Sequence, residues 1–217
     1  LRLQAAPGFR QHFSDATPAV LFPRGTLENQ GGGRAAQVLI VGCGSDFWAL
    51  GDAAHRPART PGRDEIVLNA PLAEELQARV GDEVVARLPK SNQVPADSPL
   101  GRKSDRIRTL AGLRVIEIMA AESLGRFSLA PSQTTPRNAY VAGETLQAAL
   151  EQEGRVNAIL VVGRSRHSPP DAEAESALRA ALQPNLSDYG LSMQRVRRTF
   201  QPAGSDRDDV VFDYFSL

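Results

Sequence analysis

A short strand–helix–strand unit in the first half of the chain constrains the fold more than any other feature. Apolar residues predict a strand at Glu65–Leu68, and Asn69 can then accept a hydrogen bond from a free amide of the next helix, Ala70–Gln77. Gly81-Asp82 predicts a turn. The strand that follows, Glu83–Leu88, alternates apolar and polar side chains, which indicates one covered face. This unit predicts a fold that mixes helices with sheets.

Elsewhere in the chain, strands outnumber helices. Two apolar runs, Val38–Val41 and Ala158–Val162, are typical of strands that are covered on both faces. Further strands are predicted at Ala19–Phe22, Asn138–Val141, Leu191–Phe200 and Asp209–Phe215. Ile107–Met119 predicts either a strand or a hairpin, with Gly112 as a bulge or a bend. Helices are predicted at Ser45–Leu50, Glu144–Leu150 and Pro169–Leu182. We therefore predict an α+β fold of mixed sheets with a few flanking helices, and 217 residues permit two subdomains.

Two segments predict long loops. Asp52–Arg63 is rich in alanine, arginine and proline, and we expect it to be exposed. Pro89–Arg106 contains three prolines and few apolar residues, and long loops in compact domains are commonly functional. We expect either a long loop or a small subdomain within residues 89–136.

The composition argues against several functions. The 25 basic and 25 acidic residues give a net charge of zero, which offers no attraction to nucleic acid or to an anionic lipid surface. One cysteine permits no internal disulfide and no cysteine-rich zinc site. The apolar runs are far shorter than the roughly 18 residues that a membrane-spanning helix needs. We expect this chain to be soluble and globular.

The turn after the first apolar run suggests one catalytic alternative. Gly42-Cys43-Gly44 follows a predicted strand, as does the glycine-rich turn of dinucleotide-binding folds. That motif needs a third glycine where Phe47 stands, and no acidic residue ends a second strand about 20 residues later. A nucleotide-binding α/β enzyme that uses the Gly42–Gly44 turn is therefore the alternative rather than the main hypothesis.

No other segment predicts a catalytic, cofactor-binding or metal site. His12, His55 and His167 lie in polar or proline-rich surroundings and lack the helical spacing of metal ligands. Cys43 has the features of a buried, inert thiol, and the sequence contains no Gly-x-Ser-x-Gly nucleophile motif. We expect a protein without enzymatic activity and without a cofactor.

Two groups of residues are candidates for contact with a partner. Arg102, Lys103 and Arg106 form the densest basic cluster, for which a solvated loop is the simpler interpretation. Phe47 and Trp48 are aromatic residues next to loops, where anchoring in the core is favoured over contact with a partner. The sequence therefore places any working surface first at the long loop and at this aromatic pair.

The order of these features resembles the extracytoplasmic domains of FtsX-like ABC transporter permeases. The strongest similarity is Ile66–Leu76 followed by Val80–Val84, which resembles the family pattern Val-Leu-Asn-Glu-x-Leu-Ala-x-x-Leu, a short gap and Val-Gly-Asp-x-Val. Other segments similar to family segments are Gly42 with Asp46–Leu50, Ala139–Gln147, and Val156–Val161. This type of extracytoplasmic domain is the MacB-like periplasmic core domain, and the resemblance to it covers most of residues 15–217.

The resemblance implies a non-catalytic domain inserted between the first and second transmembrane helices of a permease subunit. Residues 1–14 would then form a linker toward a transmembrane helix, and residues 15–217 would form the MacB-like periplasmic core domain. Such subunits pair with a second permease copy or homologue and work with a cytoplasmic ABC ATPase. The domain would lie outside the bacterial inner membrane and engage a substrate (a lipoprotein, peptide or lipid) or an accessory envelope protein.

A third interpretation is a small β-barrel module. The segment Val80–Val84, with its Gly-Asp turn before a strand, suggests it. Six or more strands closed around one core, without flanking helices, would support this interpretation.

Overall fold

The chain divides into two compact units in its computed structural model. The structure describes residues 2–89, 107–129, 134–165, 170–182, 194–200 and 210–216. The larger unit spans Phe13–His167, and the smaller unit combines Arg2–His12 with Ser168–Leu217. The strand–helix–strand unit that the sequence predicts lies within the larger one.

Six strands of the larger unit form a closed ring. They are β1 (Phe13–Asn29), β2 (Arg34–Cys43), β3 (Glu65–Asn69), β4 (Glu83–Pro89), β5 (Ile107–Met119) and β6 (Asn138–Ala142). The order around the ring is β1–β2–β6–β3–β5–β4, and β4 pairs back with β1. The β2–β6 and β3–β5 pairs are parallel, and the other pairs are antiparallel. A seventh strand, β7 (Ala158–Gly163), pairs antiparallel with the first part of β1.

The ring encloses the main hydrophobic core because every one of its strands has an apolar inner face. All six strands contribute to one buried cluster: Val20 and Leu27 of β1, Val38 and Ile40 of β2, Ile66 and Leu68 of β3, Val84 and Ala86 of β4, Leu113 and Val115 of β5, Ala139 and Val141 of β6. The intervening Val67 and Tyr140 belong to a second cluster on the outer face. Burial on both faces explains why these strands read as apolar runs.

Short helices complete the inner core. The helices of the described residues are α1 (Phe9–His12), α2 (Ser45–Trp48), α3 (Ala70–Leu76), α4 (Gly143–Ala149) and α5 (Ala172–Ala181). Leu72 and Leu76 of α3 and Leu146 of α4 are fully buried in the cluster inside the ring. The predicted α+β class is therefore confirmed. The strands close around one core, as the β-barrel interpretation required, but helices help to fill that core.

Ile107–Met119 forms the single strand β5, and of the two features that the sequence permits at Gly112 the structure shows a bulge. Against β4, the register moves from Val84↔Leu113 to Ala86↔Leu110, so that β5 has one more residue than β4 over this stretch. Gly112 has a φ of +69°, which glycine adopts readily because it has no Cβ. The bulge lets the long β5 bend to pair with β4 and β3.

The smaller unit combines helices with a separate two-stranded sheet. A 3-10 helix at Arg2–Ala5 precedes α1, and α5 begins after Asp171, whose side chain accepts a hydrogen bond from the Ala174 amide at 2.8 Å. Strands β8 (Gln194–Phe200) and β9 (Val210–Ser216) lie within a few residues of the predicted strands and pair antiparallel over their full length. Among the helices of the described residues, none has the length and hydrophobicity needed to cross a membrane.

Candidate functional site

Phe47 and Trp48, which the sequence gives as core anchors or partner contacts, lie in the core. Phe47 is 0% exposed and Trp48 is 5% exposed. Their rings meet edge to face with centroids 5.3 Å apart, and the Trp48 ring lies 5.2 Å from that of Tyr140. Phe127 lies 5.8 Å from Phe47 and completes what we call the aromatic cluster. The structure supports the core interpretation and leaves these two rings little surface for a partner.

The described residues of the β5–β6 connection (120–129 and 134–137) pack on the aromatic cluster, and polar side chains of β6 hold them by their backbone. Leu124 of this connection is buried in the outer cluster. The side-chain amide of Asn138 donates a hydrogen bond to the Phe127 carbonyl at 2.8 Å, and the Tyr140 hydroxyl donates one to the Leu124 carbonyl. Burial raises the pKa of the Tyr140 phenol, which keeps the hydroxyl protonated as a donor.

Asn69 ties the same connection to α3. Its side-chain oxygen accepts hydrogen bonds from the backbone amide of Leu72 at 3.3 Å and from the backbone amide of Asn138 at 3.0 Å. Its side-chain nitrogen donates to the Gly125 carbonyl at 2.8 Å and to the Pro136 carbonyl at 2.7 Å. The sequence predicts only the first contact, the helix cap, because the other partners are distant in sequence. Asn69 is thus a central structural residue of the candidate site.

The proline- and arginine-rich loop at Asp52–Arg63 is attached to the same connection. His55 Nε2 lies 2.8 Å from a carboxylate oxygen of Glu122. The Asp52 amide donates a hydrogen bond to the hydroxyl of Ser123 at 2.9 Å. Two neighbouring segments therefore hold each other over the aromatic cluster, which the sequence alone did not indicate.

The predicted long loop, Pro89–Arg106, leaves the ring where β4 and β5 stop pairing, at Pro89 opposite Ile107. Arg102, Lys103 and Arg106 lie outside the described residues. Their contact with a partner therefore stays a prediction. The described residues on either side of the loop, Pro89 and Ile107, pair with each other on adjacent antiparallel strands.

Arg108, near the start of β5, contacts the carboxyl end of α4. One guanidinium nitrogen donates to the Ala149 carbonyl at 2.6 Å, and another pairs with the Glu151 carboxylate at 2.6 Å. A cation at the carboxyl end of α4 is favourable because the last carbonyls of a helix carry partial negative charge. Arg108, two residues after Arg106 in sequence, thus links the start of β5 to the end of α4.

The Gly42–Gly44 turn serves packing. A Cβ at Gly42 would lie 2.9 Å from Cβ of Leu146, so glycine allows α4 to pack closely against β2. The helix that follows the turn, α2, has four residues, and Phe47 within it is buried. This geometry gives the nucleotide-binding alternative no support, because the following helix does not pack on its strand in the way that the glycine-rich motif requires.

The Cys43 thiol is buried and lacks the features of an activated nucleophile. Burial raises the pKa of the Cys43 thiol to about 12, so the thiol stays protonated and is a poor nucleophile. In the described part of the chain, no group of three or more histidine, cysteine, aspartate and glutamate side chains could hold a metal ion.

A polar groove of about 490 Å³ lies beside the turn between α3 and β4. It is lined by Asn29, Gln30, Gly31, Gln77, Gly81, Asp82 and Glu83. Gln30 donates a hydrogen bond to the Glu83 carboxylate at 3.1 Å, and Asp82 accepts one from the Arg79 amide at 2.7 Å. These contacts shape the turn. Sequence inspection missed the groove because the β1–β2 turn and the α3–β4 turn meet only in the fold.

Comparison with known proteins finds similarity in structure. No protein-family model and no curated protein matches this chain. The crystal structure of the periplasmic region of MacB from Actinobacillus actinomycetemcomitans is similar over 83% of this chain and 69% of that chain, with a TM-score of 0.47 and 14% identity. A domain from Porphyromonas gingivalis, described as part of a permease, is similar over 81% of this chain and 67% of that chain, with a TM-score of 0.42 and 14% identity.

Proposed function

We propose that this chain is a non-catalytic extracytoplasmic domain of an ABC transporter permease subunit. In this role the domain lies on the periplasmic side of a bacterial inner membrane. It works with a cytoplasmic ABC ATPase and with a second permease copy or a homologue. ATP-driven movement of the transmembrane helices is coupled to engagement of a substrate (a lipoprotein, peptide or lipid) or of an accessory envelope protein.

The β3–α3–β4 unit is the observation that carries this proposal. The motif with the strongest family resemblance forms the strand, capped helix and strand that it predicts. Gly81 in its Gly-Asp turn has a φ of +98°, and its amide donates to the Val115 carbonyl of β5 at 2.8 Å. The motif residues therefore have specific positions in the ring, which supports a resemblance that extends beyond isolated dipeptides.

The construction of the ring suits a domain that transmits movement rather than one that catalyses a reaction. Each of its six strands is hydrogen-bonded on both sides over part of its length, which favours displacement as one body. The β5–β6 connection and the Asp52–Arg63 loop are fixed to each other through His55 and Glu122. The long loop between β4 and β5 is the segment that we propose for contact with a partner.

The full-length gene provides the test of this proposal. We expect one hydrophobic segment before Leu1 and three after Leu217, each long enough to span a bilayer (about 20 residues). A gene without these segments would reject the proposal. A rise of the melting temperature with NAD, FAD or ATP would instead support the nucleotide-binding alternative. A ligand at 100 times its dissociation constant adds about 2.7 kcal/mol to the free energy of unfolding.

A further inference from the structure

Strand β7 leaves one of its two edges open. It pairs with β1 on one side, and among the described strands none pairs with its other side. An unpaired edge presents a row of backbone N–H and C=O groups with which another strand can pair. Natural proteins commonly protect such an edge with a charged side chain or a proline. Residues 156–163 contain neither, so β7 lacks this protection.

The pairing of β7 with β1 identifies the backbone groups that face the open edge. The side chain of Asn157 accepts a hydrogen bond from the Leu21 amide at 2.8 Å and donates one to the Leu21 carbonyl at 2.9 Å, so the backbone groups of Leu21 point toward β7. These directions alternate along a strand. Pro18 has no N–H and lies opposite Ile159, which fits a pair without hydrogen bonds. Ile159 and Val161 therefore direct their backbone groups away from β1.

The side chains of β7 make the open edge apolar. Ala158 and Leu160 are half-buried and pack against the outer cluster. Ile159 lies on the opposite face of the strand and is 38% exposed. A strand added at this edge would extend the sheet and cover part of this apolar surface. The edge therefore suits another strand without charged side chains.

Charges at the two ends of β7 favour a second copy of this chain as the added strand. Exposed Glu153 precedes β7 and exposed Arg164 follows it. The nearby Glu151 and Arg155 contact residues of their own chain. Two antiparallel copies of β7, related by a two-fold axis, place Arg164 of each copy near the end at which the other copy has Glu153. Parallel pairing would instead bring like charges together, which is unfavourable.

We propose that the open edge of β7 is a site of association between two copies of this chain, which pair antiparallel through this strand. Backbone groups of Ile159 and Val161 hydrogen-bond to the same strand of the other copy, and the sheet continues across the two-fold axis. Two short strands bury less surface than the roughly 1,600 Å² of a standard interface, so we expect weak association in solution.

The same edge would suit the second permease copy of the proposed function. Attachment of both copies to a membrane would raise their effective concentration and strengthen a weak contact. Association of the chain in solution does not depend on that function, so the tests below examine the β7 edge alone.

Amide hydrogen exchange of the unmodified chain, followed by NMR at about 20 µM and about 1 mM, covers the range of weak association. We expect the amides of Ile159 and Val161 to exchange at least about threefold more slowly at the higher concentration, because pairing protects them. The Leu160 amide faces β1 and should exchange equally at both concentrations. Unchanged, fast exchange of the Ile159 and Val161 amides would overturn the proposal. Slow exchange in a monomeric chain would also overturn it, because another segment of the chain would then cover the edge.

Ile159→Lys gives a second test, by sedimentation equilibrium over the same concentrations. The substitution places like charges close together across the two-fold axis, and we expect the association constant to fall at least about tenfold. Val80→Lys adds the same charge at a 60% exposed position outside β7 and should leave the association constant unchanged. Circular dichroism checks that both variants are folded. Dimers that persist in folded Ile159→Lys would overturn the proposal and place the interface on another surface.

Discussion

At the scale of single residues, Asn69 is where the ring, helix α3 and the β5–β6 connection meet. Its side chain is fully buried and makes four hydrogen bonds, two as acceptor and two as donor. A side chain that only capped a helix could be replaced by serine or aspartate, which are equally good caps. The two donor contacts require an amide. This explains why asparagine, rather than another capping residue, stands at the end of β3.

Replacement of Asn69 by alanine should therefore lower the stability of the fold by more than the loss of a helix cap alone would. We expect Asn69→Ala to lower the free energy of unfolding by about 3 kcal/mol, because a cap is lost and buried backbone groups lose their partners. Asn157→Ala is a matched control, since exposed Asn157 also makes two backbone hydrogen bonds, both to Leu21. Urea unfolding of both variants is the measurement. An equal decrease of the free energy of unfolding in Asn69→Ala and Asn157→Ala would contradict the central role of Asn69.

Glu65 at the start of β3 should make stability depend on pH in the acid range. Hydrogen bonds from Arg59 and from the Gly62 amide lower its pKa to about 2. A glutamate in an unfolded chain has a pKa of about 4.3. The stabilisation is therefore complete above about pH 4.3 and is lost as the pH falls toward 2.

The expected result is a smaller fall of the melting temperature between pH 5 and pH 2 for Glu65→Gln than for the unmodified chain. Glu74→Gln, an exposed position in α3, serves as the control and should leave the acid-side slope unchanged. The measurement is thermal unfolding followed by circular dichroism. A Glu65→Gln curve parallel to that of the unmodified chain would show that the Arg59 contact does not stabilise the fold.

At the scale of elements, the parts with strong local signals could be predicted, and the parts that depend on distant pairing could not. Asn69 marks the start of α3, and Gly81-Asp82 marks the start of β4, from neighbouring residues alone. Strand β1, by contrast, is predicted as Ala19–Phe22 but spans Phe13–Asn29. Its outer parts are fixed by pairing with β7 and β4, which sequence patterns do not reveal.

The long loop between β4 and β5 should be separable from the fold at this scale. Deletion of residues 94–104 leaves six residues between Pro89 and Ile107, more than the two that a hairpin turn needs. We expect the melting temperature to change little, because the β4–β5 pairing from Glu83 to Pro89 is retained.

In the full-length protein, the same deletion should impair engagement of a partner, measured as loss of the transport phenotype with normal protein levels in the membrane. A deletion that unfolds the 217-residue chain would show instead that the loop is structural. Normal transport without the loop would place the working surface elsewhere.

At the scale of the whole molecule, closure of the ring is the feature that the sequence could not supply. The mixed character of the sheet followed from apolar runs and a strand–helix–strand unit, but the β1–β4 and β2–β6 pairings that close it join segments distant from each other. The two groups of residues that the sequence proposed for contact with a partner had different outcomes. Phe47 and Trp48 are core residues, whereas the basic cluster lies outside the described residues.

The central claim, a domain outside the inner membrane, is tested most directly by labelling the full-length protein with a thiol reagent that cannot cross this membrane. Cys43 is buried, and its raised pKa of about 12 makes it unreactive in the folded domain. Val80 is 60% exposed, so Val80→Cys provides a single reactive site once any cysteines outside this domain are replaced. We predict labelling of Val80→Cys in intact spheroplasts and none of the protein with Cys43 alone. Labelling of Val80→Cys only after lysis would place the domain in the cytoplasm and contradict the claim.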